Sequence, residues 1–282
     1  MKIAVFLKIF PSLSSSRDKG LFSLSSEFSA GEADQNALEQ ALRWKEKDPL
    51  ACIHLYCMAP ESSRSFVKNL TARGADRAFL LSDPRFETAD TQATAYILQQ
   101  AVQKEEGEHG EYDAFFFGES SEDVGSGLVP YFFNHQKYQG QRPLISHVCE
   151  LFMPTGTLAN ETLPYRRTPI PFFDVRQREK RLRVRFPACF LFIPHTQKPR
   201  LPNLRHLLAM PEHCVKIYRK DDLFEKMENA AYFSEVISPS RELVRTLAAP
   251  EKQCDFHEDV SSEGISEFLS HLERRNWIRR SL

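Results

Sequence analysis

The stretch Gly118-Glu119-Ser120-Ser121-Glu122-Asp123-Val124-Gly125-Ser126-Gly127 holds the residue types that can bind an anion. Glycines free the backbone to turn its amide N–H groups toward one point. Ser126 adds a hydroxyl close to an expected helix start, where donors and dipole both favour phosphate. The pattern is neither GxGxxG nor GxxxxGK[ST], which disfavours a Rossmann-type dinucleotide fold and a P-loop NTPase. Any strand-to-helix turn also favours Gly and Ser, so the loop alone leaves a purely structural role open. No HExxH, GxSxG or paired-carboxylate pattern occurs, and the 9 histidines are scattered. The 6 cysteines form no CxxC pair, so reduced core thiols are expected rather than a disulfide or zinc framework.

Such a loop needs a scaffold that ends a buried strand beside it, and the first half of the chain supplies one. Apolar runs at Ile3 to Ile9, Ala51 to Cys57, Arg77 to Leu81 and Tyr112 to Phe117 read as strands. Helical spacing marks Asp34 to Lys47 (Asp34 suiting its N-cap), Ser65 to Arg73 before Gly74, and Asp90 to Lys104. Glu105 to Glu111 reads as a charged linker, and Ser12 to Ser29 as a loop or small hairpin. Alternating strands and helices, with continuous rather than alternating apolar runs, predict an α/β doubly wound, mostly parallel sheet. Ligands bind such sheets beyond the carboxyl ends of the strands. Three loops lie there: after Phe6-Leu7-Lys8, at Met58-Ala59-Pro60, and Gly118 to Gly127.

After about Gly140 the pattern changes. Val148 to Leu151 and Arg183 to Ile193 are strand-like, whereas the Arg- and Pro-rich segment between Pro164 and Arg181 shows no periodicity. Beyond the acidic stretch Pro250 to Glu263, Gly264 to Ile278 has the spacing of an amphipathic helix, which can dock as an arm or pack on its own domain. The expected organisation is a nucleotide-binding α/β domain at 1–210 and a C-terminal extension with a helical arm at 211–282.

Lys plus Arg (37) nearly balances Asp plus Glu (38), so there is no basic excess of the kind nucleic-acid binding requires. Phe (22) outnumbers Tyr and Trp together, which suits either a core or an apolar partner surface. The N-terminal apolar run is short and broken by Lys8, and no stretch reaches the ~20 apolar residues of a membrane-spanning helix. A cytoplasmic protein without membrane insertion is expected.

Several segments, in order, resemble the beta subunit of electron-transferring flavoproteins. They are Lys2-Ile3-Ala4-Val5-Phe6-Leu7-Lys8, Ala37 to Lys47, Gly74-Ala75-Asp76-Arg77-Ala78 followed by Ala89-Asp90-Thr91-Gln92-Ala93-Thr94-Ala95, and Lys198 to Leu204 with its Leu201-Pro202-Asn203. The resemblance implies an adenine-nucleotide alpha-hydrolase-like fold and a heterodimer with an alpha subunit. It implies electron transfer between a flavin dehydrogenase, often of acyl-CoA dehydrogenase type, and a downstream acceptor. FAD would be held mainly with the alpha partner, and AMP or a second FAD in the beta site. By matching position, Phe6, Ala59, Gly118, Asp123, Ser126, Gly127 and Val129 would line that site, with Met58 at its edge. Leu201, Pro202 and Asn203 would meet the dehydrogenase, Leu201 as anchor. Glu119 stands where the family has a basic residue and would repel an anion unless its side chain points away. Gly31-Glu32 replaces an Asn-Pro pair. A stand-alone adenine-nucleotide binder without redox function, or a structural subunit with an empty site, are the alternatives.

Overall fold

The computed structural model describes residues 1–15, 22–121, 125–139, 141–152, 172–178, 180–211 and 214–224, all within one unit of the chain, Met1–Pro239. Strand β1 (Lys2–Ser15) is followed by β2 (Phe22–Ala30), α1 (Glu32–Lys47), β3 (Cys52–Met58), α2 (Arg64–Thr71), β4 (Arg77–Leu81), α3 (Thr91–His109) and β5 (Ala114–Gly118). Next come α4 (Val129–Tyr138), β6 (Leu144–Val148), β7 (Glu150–Phe152), β8 (Phe172–Arg176), β9 (Arg181–Arg185), β10 (Ala188–Phe192), α5 (Leu204–Ala209), β11 (Val215–Tyr218) and α6 (Lys220–Leu223).

The main sheet runs β11-β4-β3-β1-β5-β10-β6, parallel throughout, as the continuous apolar runs require. Alternate residues of β1 serve opposite layers. Ile3, Val5 and Leu7 face α1 and α2, whereas Ala4 and Phe6 face α3 and α4. The fold is thus doubly wound. The far half of β1 leaves the sheet to form an antiparallel hairpin with β2, in register Ile9 to Ala30 and Ser15 to Phe22. The serine-rich stretch is therefore largely strand.

A second sheet, β7-β8-β9, is antiparallel and packs on the α1 side. Phe173 anchors it, meeting Trp44 edge-on at 4.3 Å and Phe186 at 3.7 Å between ring centroids. Phe115, Phe116, Phe117, Phe133, Phe173, Phe186, Phe190 and Phe192 are all buried, so these phenylalanines build the core rather than a partner surface.

Some boundaries differ from the sequence reading. Helix α1 starts two residues before Asp34, with Gly31 as N-cap. Asp90, by contrast, does cap α3, accepting the Ala93 amide at 2.8 Å. Helix α3 continues through the expected linker to His109, because Glu105 is fully buried and held by Lys216 (3.1 Å) and Tyr218 of β11. The Arg/Pro-rich segment contains β8, whose inward Phe173 and Val175 alternate with polar residues. β11 and α6, from the stretch expected to begin the C-terminal extension, pair with or pack beside the main sheet. The helix expected at Gly264 to Ile278 lies outside the described residues. The cysteines at 52, 57, 149, 189 and 214 are free thiols, while Cys254 lies outside the described residues. Among the described residues no helix is long and apolar enough to cross a membrane.

Candidate functional site at the strand ends

A cavity of about 1030 Å³ opens beyond the carboxyl ends of β1, β3, β4 and β5. Its floor is aromatic. Phe117, Phe6, Tyr56, Phe79 and Tyr218, one each from β5, β1, β3, β4 and β11, stack in a row with centroid separations of 4.1, 5.4, 4.9 and 5.9 Å. The row exists because parallel register sets Val5 against Phe116, Phe6 against Tyr56, and Tyr56 against Phe79. Phe6, Tyr56 and Phe117 reach the cavity itself. Flat apolar rings in a concave site offer a surface on which a planar heterocycle can stack.

One wall is set by Asp34, in the first turn of α1. Its buried carboxylate accepts the Lys8 amide at 2.8 Å and the Gly118 amide at 2.9 Å, binding the ends of β1 and β5 together. Gly118 must be glycine here, because a Cβ would lie 2.7 Å from the Asp34 nitrogen and closer still to its carboxylate.

The loop after Gly118 forms the next wall. Gly125 (φ 68°) and Gly127 (φ 61°) both occupy the left-handed region, and a Cβ on Gly127 would sit 2.5 Å from the Glu119 carbonyl oxygen. Ser126 and Gly127 line the cavity just before α4, which opens with Pro130 in its first turn. The Glu119 side chain instead points to His147, with 3.1 Å between Oε1 and Nδ1, and is not among the lining residues. The repulsion anticipated from Glu119 is therefore directed away from the cavity.

The opposite rim is ionic. Arg85 grips Asp83 with two bonds of 2.8 Å, which hold that carboxyl far below its usual range against the opposing effect of burial. Arg219 meets Glu61 at 3.3 Å. The cavity is lined by six acidic side chains (Asp34, Glu61, Asp83, Glu87, Asp90, Asp221) and three basic ones (Lys8, Arg85, Arg219). An anion would therefore have to rely on the amides and hydroxyl of the glycine-rich turn rather than on a cluster of cations.

Of the residues expected at the site, Phe6, Met58, Ala59, Gly118, Ser126, Gly127 and Val129 line the cavity, and Asp123 lies outside the described residues. Leu201, Pro202 and Asn203 are elsewhere, on a loop tied to α1. Arg200 binds Glu39 through its backbone nitrogen (3.1 Å), Nε (3.0 Å) and Nη2 (2.8 Å), and Glu46 through Nη1 (2.6 Å). Asn203 caps α5, accepting the His206 amide at 3.2 Å. The loop is held while Leu201 is 86% exposed, beside exposed Leu204 and Leu208. Sequence reasoning missed Asp34 as a site residue, along with Tyr56 and the Asp83–Arg85 pair. An aspartate in a helix's first turn just past a strand end was the available signal for the first.

Residues 23–132 match the model of the Electron transfer flavoprotein domain. Over 178 residues the chain is 30% identical to the Electron transfer flavoprotein subunit beta of Megasphaera elsdenii, covering 61% of this chain and 59% of that one. It is 28% identical over 191 residues to the protein of the same name from Thermoanaerobacterium thermosaccharolyticum, covering 67% and 66%. The Caffeyl-CoA reductase-Etf complex subunit CarD of Acetobacterium woodii shares 39% over 71 residues, 25% of this chain and 27% of its own. The match thus spans less than two thirds of the length of each of these curated relatives. In its parallel sheet and ordered motifs, the chain is similar to the beta subunits of electron transfer flavoproteins.

Proposed function

We propose that this chain is the beta subunit of a heterodimeric electron-transferring flavoprotein. It would carry electrons between a flavin dehydrogenase, of acyl-CoA dehydrogenase type, and a downstream acceptor. The observation that carries the reading is the cavity at the strand ends, walled by the left-handed turn Gly125-Ser126-Gly127 and floored by aromatic rings, in a chain similar to these beta subunits. In this reading the redox FAD sits mainly with the alpha partner and supplies the electron-carrying ring system. This chain's cavity takes an adenine nucleotide, AMP or a second FAD. Backbone amides and Ser126 fit a phosphate, and Phe6 and Phe117 fit a flat base. Leu201, Pro202 and Asn203 form the contact with the dehydrogenase, since an exposed leucine on an anchored loop suits a transient apolar hot spot.

Co-expression with an alpha subunit is expected to give a yellow complex, and this chain alone little or no flavin. A stable monomer indifferent to every candidate alpha subunit would count strongly against the proposal. Acid release of nucleotide followed by chromatography identifies what the beta site holds. The excess of acidic over basic lining residues favours one alternative, a structural subunit that holds nothing there. Ser126→Ala with Gly127→Val should abolish the released nucleotide, and unchanged content would remove the turn from the assignment.

A further inference from the structure

The hairpin of β8 and β9 concentrates positive charge in a way the nucleotide site does not use. Between Phe172 and Arg185 stand six basic residues against two acidic ones, in a chain of net charge -1. The inward positions, Phe173, Val175 and Val184, are buried against the core. The outward ones, Asp174, Arg176, Arg181 and Arg183, form one polar face. Two carboxylates partly neutralise it: Arg183 takes both oxygens of Asp174 at 2.7 and 3.0 Å, and Arg176 takes Glu150 at 2.7 Å. Arg178, Lys180 and Arg181 form no ion pair among the described residues, and all three are exposed. Arg176 and Arg181 lie directly opposite each other in the ladder, a like-charge pairing that weakens a hairpin. The face is also rigidly mounted through Phe173 on Trp44 and Phe186.

From this we infer that the β8–β9 hairpin is a docking face for an acidic protein surface. Charge complementarity sets the sign of the partner. The tip is short: its ends, Arg176 and Arg181, are paired across the ladder, and only four basic side chains stand from 176 to 181. That is too few for the six to ten phosphate contacts a duplex binder commonly makes, but it is the scale of a charged patch that steers protein encounter. The inference goes beyond the electron-carrier reading and does not depend on the nucleotide site.

The test measures binding of fluorescein-labelled poly-L-glutamate by anisotropy, using the full chain in complex with its alpha subunit, or alone if it purifies alone. Wild type should bind, with affinity falling at least tenfold between 50 and 200 mM NaCl. Arg178→Glu with Arg181→Glu should weaken binding at least tenfold. The same two-charge reversal on α2, Arg64→Glu with Lys68→Glu, should change it less than twofold. If the glutamate pair unfolds the hairpin, Arg178→Gln with Arg181→Gln retains the geometry and should still weaken binding about threefold or more. Equal losses from the hairpin and α2 reversals would overturn the inference. So would tighter hairpin-dependent binding of a 20-base-pair DNA duplex or of phosphatidylglycerol vesicles. Nucleotide content and alpha-subunit co-purification, read on the same samples, report separately on the proposed function.

Discussion

The Asp34 carboxylate accepts the Gly118 amide at 2.9 Å, and the two residues approach so closely that no β-carbon fits on Gly118. Because the same carboxylate also takes the Lys8 amide, one side chain fixes the spacing of two neighbouring strand ends at the mouth of the cavity. Gly118→Ala should therefore destabilise the protein by about 1–3 kcal/mol, as overpacking does in a tight site. Urea denaturation checks this, and an unchanged midpoint would show that the contact yields easily.

The left-handed turn should behave differently. Gly127→Ala places a strained residue 2.5 Å from the Glu119 carbonyl oxygen at the cavity edge. Its main effect is expected on nucleotide content, down at least tenfold. Gly107→Ala is the control, since nothing lies within 4 Å of its would-be Cβ in α3. It should stabilise by about 0.5–1 kcal/mol through helix propensity alone, visible as a higher denaturation midpoint.

Arg200 and Leu201 are adjacent but should separate cleanly. Arg200→Ala strips the nearly buried Glu39 of its strongest partner and should cost about 1–3 kcal/mol. Leu201→Ala should leave stability within about 0.5 kcal/mol, because the side chain is 86% exposed. Under the proposed function, it should slow electron transfer from the dehydrogenase about tenfold. Comparing melting curves with stopped-flow flavin reduction distinguishes the two residues.

His54 predicts an acid sensitivity. Burial lowers its imidazole from 6.5 to about 4, with nearby Lys2 adding to the effect, while Tyr112 hydrogen-bonds it at 2.6 Å. The unfolded chain binds the proton more readily than the folded one. The contribution is therefore complete above pH 6.5 and is lost as pH falls toward 4. Between pH 6.5 and 5 this residue alone should remove up to about 2 kcal/mol, at 1.36 kcal/mol per unit. The ring should stay neutral at pH 5.5 by nitrogen NMR, and a protonated signal there would refute the assignment.

Much of the main sheet was legible because each early strand is a continuous apolar run and each helix carries its own stripe. What escaped depends on partners far along the chain. Glu105 reads as linker until Lys216, 111 residues later, holds it in a helix. β8 hides among arginines because only Phe173 and Val175 face inward. Asp34 reads as a helix cap, since its true partners, Lys8 and Gly118, are 26 and 84 residues away. Residue types and strand-end position pointed to the three loops, and matching segments picked out single residues on them; Tyr56 and Arg85 lie outside those loops and were reached by neither route.

The strand order has a consequence for how the chain is made. β10 lies between β5 and β6, so among the described strands β6 has no sheet neighbour until residues 188–192 have left the ribosome. The strands that floor most of the cavity, β1, β3, β4 and β5, are complete by Gly118 and can assemble during synthesis. Until β10 arrives, β5 presents a bare edge of buried phenylalanines. A nascent or truncated chain ending before Ala188 would therefore be competent to start its cavity and prone to stick to its own copies at the same time.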